Sequence, residues 1–298
     1  MDRLEAMSIV VAVAEAGSLS AAARRLNTPA ATASRKITEL EEQLRTKLFD
    51  RSARKLALTD AGSSYVAALK RILPDISEAE RAASGEYTAP TGELVVTAPV
   101  GLGRMYLLPI LAEFFSAYPD ITVRLVLGNR ILSLPEEHID VALRIGVLPD
   151  SRLIALRLGS VAPVVCASPA YLALRGAPVV PADLASSDCI IYEGFQAPGL
   201  WTFMQGETAI AVTVRPRLIV SSIEAACEAA QAGIGFTRVF SYHIEPFVEA
   251  GTLTTVLDAY RPGPLPVSFV YRAGRFMPIK LRAFLDFASP RLKARLTR

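Results

Sequence analysis

Hydroxyl and cationic side chains cluster in residues 28–36, which read TPAATASRK at the start of a predicted helix. An arginine there can form paired hydrogen bonds with O6 and N7 of guanine, and hydroxyls suit phosphates or base edges. Alanines keep such a helix thin enough to lie deep in a major groove, where they offer methyl contacts to thymine. The candidate DNA-contacting residues are Thr28, Ala30, Ala31, Thr32, Ser34, Arg35 and Lys36. A solvated charged face would have the same composition, so that alternative stays open on the residues alone.

A second basic group follows in residues 51–55, RSARK, between two short predicted strands. Residues 24–55 carry nine Lys or Arg and four Asp or Glu, a net charge of +5, whereas the whole chain has a net charge of +3. This concentration predicts a local polyanion-binding patch rather than a generally basic protein. Arg51, Arg54 and Lys55 are the candidates for contacts with the DNA backbone or minor groove.

In the C-terminal two thirds of the chain, candidate ligand groups lie where predicted strands end, the position at which α/β proteins bind ligands. These are Pro99, Val100, Gly101, Gly128, Asn129, Arg144, Gly146, Glu193, Phe195, Ser221 and Ser222. Arg144 could anchor a carboxylate, or it could form a structural ion pair instead. The two serines could bind an anion or simply cap their helix. Trp201 fits the wall of a cleft and a buried core equally well.

The residues argue against several function classes. The chain has no G-x-S-x-G motif, no phosphate-binding P-loop and no histidine set near a nucleophile, so no catalytic residue is predicted. Cys166, Cys189 and Cys227 are widely spaced and only two histidines occur, so neither a disulfide framework, nor a metal site, nor a cofactor is predicted. We expect buried, unreactive cysteines, and we expect His138 and His243 to be surface or capping residues.

The N-terminal segment shows the periodicity of a compact helical domain. Apolar residues recur at spacings of three and four, Gly17 ends the first helix and Ser18 caps the second. Thr28 and Pro29 are typical of the N-cap and first position of a third helix. A helix, a short turn and a second helix with alanines at the crossing predict a helix-turn-helix, and residues 48–58 predict a two-stranded wing.

A long helix is predicted from Thr59 to about Tyr87. Its stripe of small and apolar side chains, which recurs every three or four residues, predicts pairing with a partner helix and hence a homodimer. Pro74 should kink this helix or end it early. Beyond the linker at residues 85–92, strands and helices alternate, which predicts an α/β fold with a largely parallel sheet.

No segment predicts secretion or membrane insertion. The apolar runs are far shorter than the roughly 18 residues that span a bilayer. The first residues, MDRLEAMSIV, contain acids and lack a small-residue cleavage site. We therefore expect a cytoplasmic protein without a membrane partner.

Several longer segments occur in a fixed order. The first is AVAEAGSLSAAARRLNTPAATASRKITELEEQLRTKLFDRSARKLALTDAG, followed by GELVVTAP, IDVALRIG, GIGF, LPVSFVYR and KLRAFLDF. This ordered set, which covers essentially the whole chain, resembles the LysR-type transcriptional regulators. The chain departs from the family at Pro29, Ala30 and Ala31, where the family usually has Ser and then Gln or Pro. It also has Arg45 where the family usually has a helix-ending glycine, so we expect Arg45 to find another cap or to adopt the left-handed conformation.

The resemblance implies a winged helix-turn-helix domain at residues 1–58, a dimerising linker helix at 59–88 and an effector-binding module at 89–298. That module would comprise two Rossmann-like subdomains, as in periplasmic binding proteins, formed by residues 89–161 with 265–298 and by residues 162–264. The implied partners are double-stranded DNA, a small-molecule effector, and further copies of the chain in a homodimer or homotetramer. The apolar side chains of Val100, Phe195 and Trp201, with the possible anion anchors, favour a small aromatic or aliphatic organic acid as the effector.

The leading hypothesis is a sequence-specific DNA-binding regulator of transcription whose activity is modulated by a small molecule bound in the cleft of the C-terminal module. A second hypothesis is an enzyme carried on the α/β module, which the missing catalytic motifs disfavour. A third is a small-molecule sensor that acts without DNA, which the basic cluster disfavours.

Overall fold

The computed structural model describes residues 2–50, 56–83, 89–130, 132–134, 137–148, 153–195, 197, 199–272 and 277–296. The chain divides into two compact units. The first comprises residues 1–93 with the short segments 120–122 and 278–280, and the second comprises the rest. Each unit has its own hydrophobic core, so each is described separately.

The first unit contains four helices and a two-stranded hairpin. The elements are α1 (Arg3–Ala16), α2 (Leu19–Arg25), α3 (Ala30–Leu44), β1 (Phe49–Asp50), β2 (Ala57–Leu58) and α4 (Asp60–Ala83). Gly17 ends α1 with φ 60°, and the Ser18 hydroxyl accepts the N–H of Ala21 at 3.4 Å. β1 and β2 pair antiparallel. The predicted helix-turn-helix and hairpin are therefore confirmed.

The start of α4 is fastened to the segment before the hairpin. Thr59 Oγ1 donates to the Lys47 carbonyl at 2.7 Å and accepts the N–H of Gly62 at 2.9 Å, so it caps the helix. A Cβ atom on Gly62 would lie 1.9 Å from the Leu48 carbonyl oxygen. The close approach of these two backbones explains why the LALTDAG segment has glycine at this position.

Of the two outcomes expected at Pro74, an early end of the helix is wrong, because α4 runs from Asp60 to Ala83. A kink at this residue stays a prediction. A proline inside a helix costs about 3 kcal/mol. Val66 and Leu69, which are 6% and 1% exposed, anchor the first half of α4 in the helical core. Their burial supplies free energy that offsets the hydrogen bond lost at the proline.

The second unit is built on two five-stranded sheets. The first sheet has the order β4-β3-β5-β14-β6 and the second has the order β11-β8-β12-β7-β13. The strands of the first are β3 (Gly92–Ala98), β4 (Ile121–Leu127), β5 (Val141–Ile145), β6 (Leu153–Val161) and β14 (Leu265–Arg272). Those of the second are β7 (Pro163–Ala167), β8 (Asp188–Tyr192), β11 (Arg215–Val220), β12 (Phe236–Phe240) and β13 (Thr254–Val256). A separate hairpin joins β9 (Leu200–Gln205) and β10 (Thr208–Thr213).

Helices cover both sheets. They are α5 (Val100–Leu102), a π-helical turn (Gly103–Leu107), α6 (Leu108–Ala117) and α10 (Ile279–Leu296) on the first sheet, and α7 (Pro169–Arg175), α8 (Ile223–Gln231) and α9 (Ser241–Glu249) on the second. Phe284 of α10 packs edge-on against Phe114 of α6, and its ring is tilted against that of Phe269 in β14. The stretch Val100–Ala117 is long and apolar enough to cross a membrane. Burial explains its composition, since Leu102, Leu107, Ile110 and Phe114 are 0% exposed.

Both sheets are mixed, so the prediction of a largely parallel sheet is wrong. The pairs β3–β5, β8–β11 and β8–β12 are parallel, whereas β14 runs antiparallel to β5 and β6, and β7 runs antiparallel to β12 and β13. The antiparallel strands adjoin the two places where the chain crosses between sheets, at residue 162 and at residues 261–264. These connections join different sheets instead of forming the helical crossovers that make neighbouring strands parallel.

Candidate nucleic-acid interface and ligand cavity

One face of α3 is buried and the opposite face is exposed. Ala33, Ile37 and Leu40 are at most 2% exposed and pack into the helical core. The Arg35 side chain points away from them, is 69% exposed and lies 3.7 Å from Glu39, one turn later on the helix. An ion pair this exposed is weak, so the Arg35 guanidinium can leave Glu39 for a base or a phosphate.

The first turn of α3 lacks a side-chain cap. Pro29 occupies the N-cap position, and Thr28 Oγ1 instead donates to the Leu26 carbonyl at 3.2 Å. The prediction that Thr28 caps this helix is therefore wrong, since its hydroxyl bonds backward to the turn. The first N–H groups of the helix have no acceptor within the helix, so they can donate hydrogen bonds to a phosphate oxygen. Ala30 and Ala31 are exposed there, and Thr32 and Ser34 are half-buried.

Lys36 differs from Arg35 in its surroundings. Its ammonium group forms an ion pair with Glu5 of α1, and its side chain is only 15% exposed. Arg51, Arg54 and Lys55, the candidate wing residues, lie outside the residues that the structure describes.

The end of α3 is held by a buried carboxylate that the motif analysis did not single out. Glu41 is 2% exposed, and it accepts the N–H of Leu48 at 2.8 Å, the N–H of Phe49 at 3.2 Å and Lys47 Nζ at 2.9 Å. Burial alone would raise the pKa of this carboxyl, but the hydrogen bonds from Lys47 and the two backbone amides outweigh it and lower the pKa. Arg45 ends the helix in the left-handed conformation at φ 51°, one of the two expected outcomes.

In the second unit, a cavity of about 290 Å³ lies between the two sheets. The carboxyl ends of β3, β5 and β8 open into it, as expected for an α/β ligand site. Of the eleven candidate ligand residues, five line this cavity: Pro99, Gly128, Asn129, Arg144 and Phe195. The other six, which do not line it, are Val100, Gly101, Gly146, Glu193, Ser221 and Ser222.

The cavity is lined by two cations, the half-buried Arg144 and the exposed Arg130, and by an aromatic wall. Arg144 donates to the Leu132 carbonyl at 2.6 Å, and burial lowers the pKa of its guanidinium. Within the described part of the chain it has no acidic partner. The wall is formed by Tyr192, Phe195, Phe240 and Tyr242, and Phe195 packs edge-on against Tyr192 at 5.1 Å and against Phe240 at 5.4 Å.

Three of the eleven candidate ligand residues, one of which also lines the cavity, have structural roles. Ser222 caps α8, since its hydroxyl accepts the N–H of Ala225 at 3.3 Å and donates to Glu224 at 2.7 Å. Asn129 joins the two sheets, because its amide donates to the Tyr192 hydroxyl at 2.6 Å and its carbonyl accepts the Val100 N–H at 3.2 Å. Gly101 permits close packing, since a Cβ atom there would lie 2.4 Å from Nε2 of His243.

Three further expectations concern buried residues. His243 is 7% exposed, so the prediction that it is a surface or capping residue is wrong; burial lowers its pKa to about 4. Trp201 is 2% exposed and belongs to the core beside β12 rather than to the cavity. The three cysteines are buried as expected, and burial raises the pKa of each thiol.

A helix-turn-helix unit joined to a two-sheet unit with a ligand cavity defines the class of ligand-responsive DNA-binding regulators. Two family models match the chain, the bacterial regulatory helix-turn-helix protein of the lysR family over residues 4–63 and the LysR substrate binding domain over residues 88–293. The chain therefore belongs to the LysR family. It is a transcriptional regulator with a helix-turn-helix DNA-binding domain and an effector-binding domain, and its family is regulatory.

Known relatives span the whole chain. An HTH-type transcriptional regulator of Xanthomonas campestris is 35% identical over 288 residues, which are 95% of this chain and 84% of the relative. The structure of CrgA, a LysR-type transcriptional regulator from Neisseria meningitidis, is 30% identical with a TM-score of 0.63 and covers 99% of both chains. The full-length Vibrio cholerae virulence activator AphB is 28% identical with a TM-score of 0.61, over 96% of this chain and 98% of that one.

Proposed function

We propose that this regulator binds a small aromatic carboxylate in the cavity of its second unit and thereby changes its binding to operator DNA. The observation that carries the proposal is a single half-buried cation, Arg144, within an aromatic cavity. Burial removes part of the hydration of this guanidinium, and a bound carboxylate would compensate its positive charge. The aromatic side chains around it would pack on the ring of the ligand.

The size of the cavity favours a small ligand. Drug-sized ligands occupy pockets of roughly 300–1,000 Å³, and this cavity is about 290 Å³. Arg144 already gives one donor to the Leu132 carbonyl. The remaining donors of the guanidinium fork can form the paired hydrogen bonds that a carboxylate accepts.

The same proposal divides the chain into three functional parts. These are the DNA-binding domain at residues 1–58, the linker helix at 59–88 and the effector module at 89–298, with subdomains at 89–161 with 265–298 and at 162–264. The linker helix would join two chains in a homodimer, and two dimers would form a homotetramer. A protein with these partners acts in the cytoplasm.

On DNA, the exposed face of α3 would enter the major groove. Arg35 would contact guanine or phosphate, Ala30 and Ala31 would contact thymine methyls, and the hydroxyls of Thr28, Thr32 and Ser34 would contact phosphates or base edges. Arg51, Arg54 and Lys55 of the wing would contact the backbone. Selection of fragmented genomic DNA by the full-length protein at physiological salt tests this part. Enrichment of a few sites with two-fold symmetry is expected, and uniform retention would contradict it.

Calorimetric titration with benzoate and with an aliphatic acid of similar size tests the ligand class. We expect heat of binding with benzoate, a weaker response with the aliphatic acid, and at least a tenfold loss of affinity in Arg144→Gln. Arg157→Gln, at an exposed arginine in β6, is the matched control and should bind like the parent. Equal affinity of Arg144→Gln and the parent would contradict the proposed role of Arg144.

A further inference from the structure

The hydroxyl of Tyr192 lies at the cavity between the two sheets and is held by one hydrogen bond. Tyr192 is the last residue of β8 and lines the cavity, and it is 5% exposed. Its oxygen lies 2.6 Å from Nδ2 of Asn129, which follows β4 of the other sheet. A tyrosine hydroxyl can donate one hydrogen bond and can also accept. The direction of the bond with Asn129 therefore decides what the hydroxyl offers to a ligand.

The side-chain amide of Asn129 sets this direction. Its Oδ1 atom accepts the N–H of Val100 at 3.2 Å, and a backbone N–H can only donate. The atom that faces Tyr192 is consequently the amide nitrogen, which also can only donate. The Tyr192 oxygen must therefore be the acceptor of this bond, and the proton of its hydroxyl remains for another partner.

Among the residues that the structure describes, none accepts this proton. The ring of Phe195 packs edge-on against the Tyr192 ring at 5.1 Å, but this contact brings no oxygen or nitrogen to the hydroxyl. The backbone of Gly194 passes close by, since a Cβ atom there would lie 2.1 Å from the Tyr192 oxygen. Glycine at residue 194 thus makes room for the hydroxyl. An unused donor at the wall of a cavity favours a ligand that brings an acceptor.

We propose that the Tyr192 hydroxyl donates a hydrogen bond to the same ligand carboxylate that Arg144 binds. This inference rests on the proposed function and names a second residue that selects for a carboxylate. Tyr192 and Arg144 line one cavity of about 290 Å³. A carboxylate has two oxygens with about four acceptor positions, which is enough for a guanidinium group and a hydroxyl together. Bonds from a hydroxyl to a carboxylate are also among the stronger hydrogen bonds in proteins.

The positions of the two donors give the ligand a structural role. Arg144 belongs to β5 of the first sheet, whereas Tyr192 belongs to β8 of the second. A carboxylate bound by both would connect the two sheets through charge-assisted hydrogen bonds. Asn129 is then a positioning residue, because it acts on the ligand only by fixing the direction of the Tyr192 hydroxyl bond.

Calorimetric titration of the full-length protein with benzoate tests the role of Tyr192. Tyr192→Phe removes the hydroxyl and keeps the ring, so we expect a loss of affinity of roughly tenfold, as for other hydrogen bonds to a charged group. Tyr171→Phe removes the hydroxyl of a similarly buried tyrosine that packs in another core cluster, and it should bind like the parent.

The outcomes separate this inference from the proposed function. If Tyr192→Phe bound benzoate as tightly as the parent while Arg144→Gln lost affinity, the role of Tyr192 would be wrong and the carboxylate site would stand. A parent protein that binds neither benzoate nor the aliphatic acid would overturn both proposals.

A crystal structure of the unaltered full-length protein with benzoate covers the case in which Tyr192→Phe fails to fold. We expect the Tyr192 oxygen to lie about 2.5–3.0 Å from a carboxylate oxygen of the ligand. Benzoate bound to Arg144, but more than roughly 3.5 Å from the Tyr192 oxygen, would overturn this inference alone. Benzoate bound only outside the cavity would overturn the proposed function as well.

Discussion

The Arg35 side chain is highly exposed, and its ion pair with Glu39 is weak. It can therefore break this ion pair when it contacts DNA. We expect Arg35→Ala to weaken binding to the selected operator by about 1–3 kcal/mol, because a paired hydrogen bond to guanine or a charge-assisted contact to phosphate is lost. Fluorescence anisotropy with labelled operator DNA over a series of salt concentrations measures both the affinity and the salt slope.

Glu39→Gln is the matched control for this prediction. It removes the partner of Arg35 without touching the cation, so it should leave operator affinity unchanged or increase it. Lys36→Met should affect the salt slope less than Arg35→Ala does, since the Lys36 ammonium is already paired with Glu5. If Arg35→Ala bound the operator as tightly as the parent, the proposed docking of α3 would be wrong.

His243 makes stability depend on pH in a predictable direction. Its pKa in the folded protein is about 4, lowered by burial from an ordinary value of 6.5 even though Glu224 acts to raise it. Between these values the unfolded chain takes up a proton that the folded protein does not, so stability falls as the pH decreases from 6.5 towards 4. The loss amounts to roughly 3 kcal/mol for such a shift.

Urea unfolding at pH 7.5, 6 and 5 checks this effect. His243→Gln, which removes the titrating group, should lose less stability over this range than the parent. His138→Gln alters the other histidine of the chain, which is exposed, and should show the parental pH dependence. A steeper or equal loss in His243→Gln would show that other groups cause the pH dependence.

At the scale of elements, Glu41 fastens the end of α3 to the strand that begins the wing. One carboxylate receives two backbone N–H groups and the ammonium of Lys47. Because hydrogen bonds to a buried charge are stronger than neutral ones, this single side chain stabilises the packing of residues 47–49 against α3.

Glu41→Gln should destabilise the DNA-binding domain by about 1–3 kcal/mol at neutral pH. The folded pKa lies below the ordinary value of 4.5, so the contribution is complete above that value and is lost as the pH falls through the lower folded pKa. The difference in unfolding free energy between parent and variant should thus shrink below pH 4.5. Glu42→Gln, at the exposed neighbouring position, should have little effect at any pH.

At the scale of the whole molecule, α4 does not bury all of its large apolar side chains in the helical core. Val66 and Leu69 face the helical core, whereas Ile72 is 48% exposed although it is a large apolar residue. Exposed apolar side chains on a long helix are typical of an interface with another copy. This arrangement supports the proposed homodimer through the linker helix.

Ile72→Glu should shift the protein towards monomers, because it places a charge in the apolar contact between two linker helices. Analytical ultracentrifugation over a range of protein concentrations measures the change. Ala67→Glu introduces the same charge at an exposed position on another side of α4 and should leave the assembly unchanged. A parental distribution in Ile72→Glu would place the dimer contact elsewhere.

The residues that spacing predicted correctly are those whose role depends on near neighbours in the chain. Gly17 and Ser18 end and begin adjacent helices, and Arg45 adopts the left-handed conformation. Five of the eleven candidate ligand residues line one cavity, and their binding of a ligand stays a prediction. Strand ends can be located from local patterns, and parallel strand ends meet at one edge of a sheet.

Apart from Phe195, the aromatic wall of the cavity was not predicted, because β12 and α9 have no clear periodicity. Phe240 and Tyr242 belong to this missed segment, and both reach the cavity only through pairing of β12 with β7 and β8. Pairing between strands far apart in the chain depends on the packing of the whole sheet rather than on local preference. The same reason explains the mixed direction of the strands.

The sequence by itself determined the family of this protein, its helix-turn-helix and the exposure of Arg35, since helical periodicity and capping act over a few residues. Only the tertiary structure decided which side chains share the cavity, that Lys36 pairs with Glu5, and that the Glu41 carboxylate is buried with hydrogen bonds from Leu48, Phe49 and Lys47. These features arise from contacts between residues widely separated along the chain, and such contacts form only when the sheets and helices pack together.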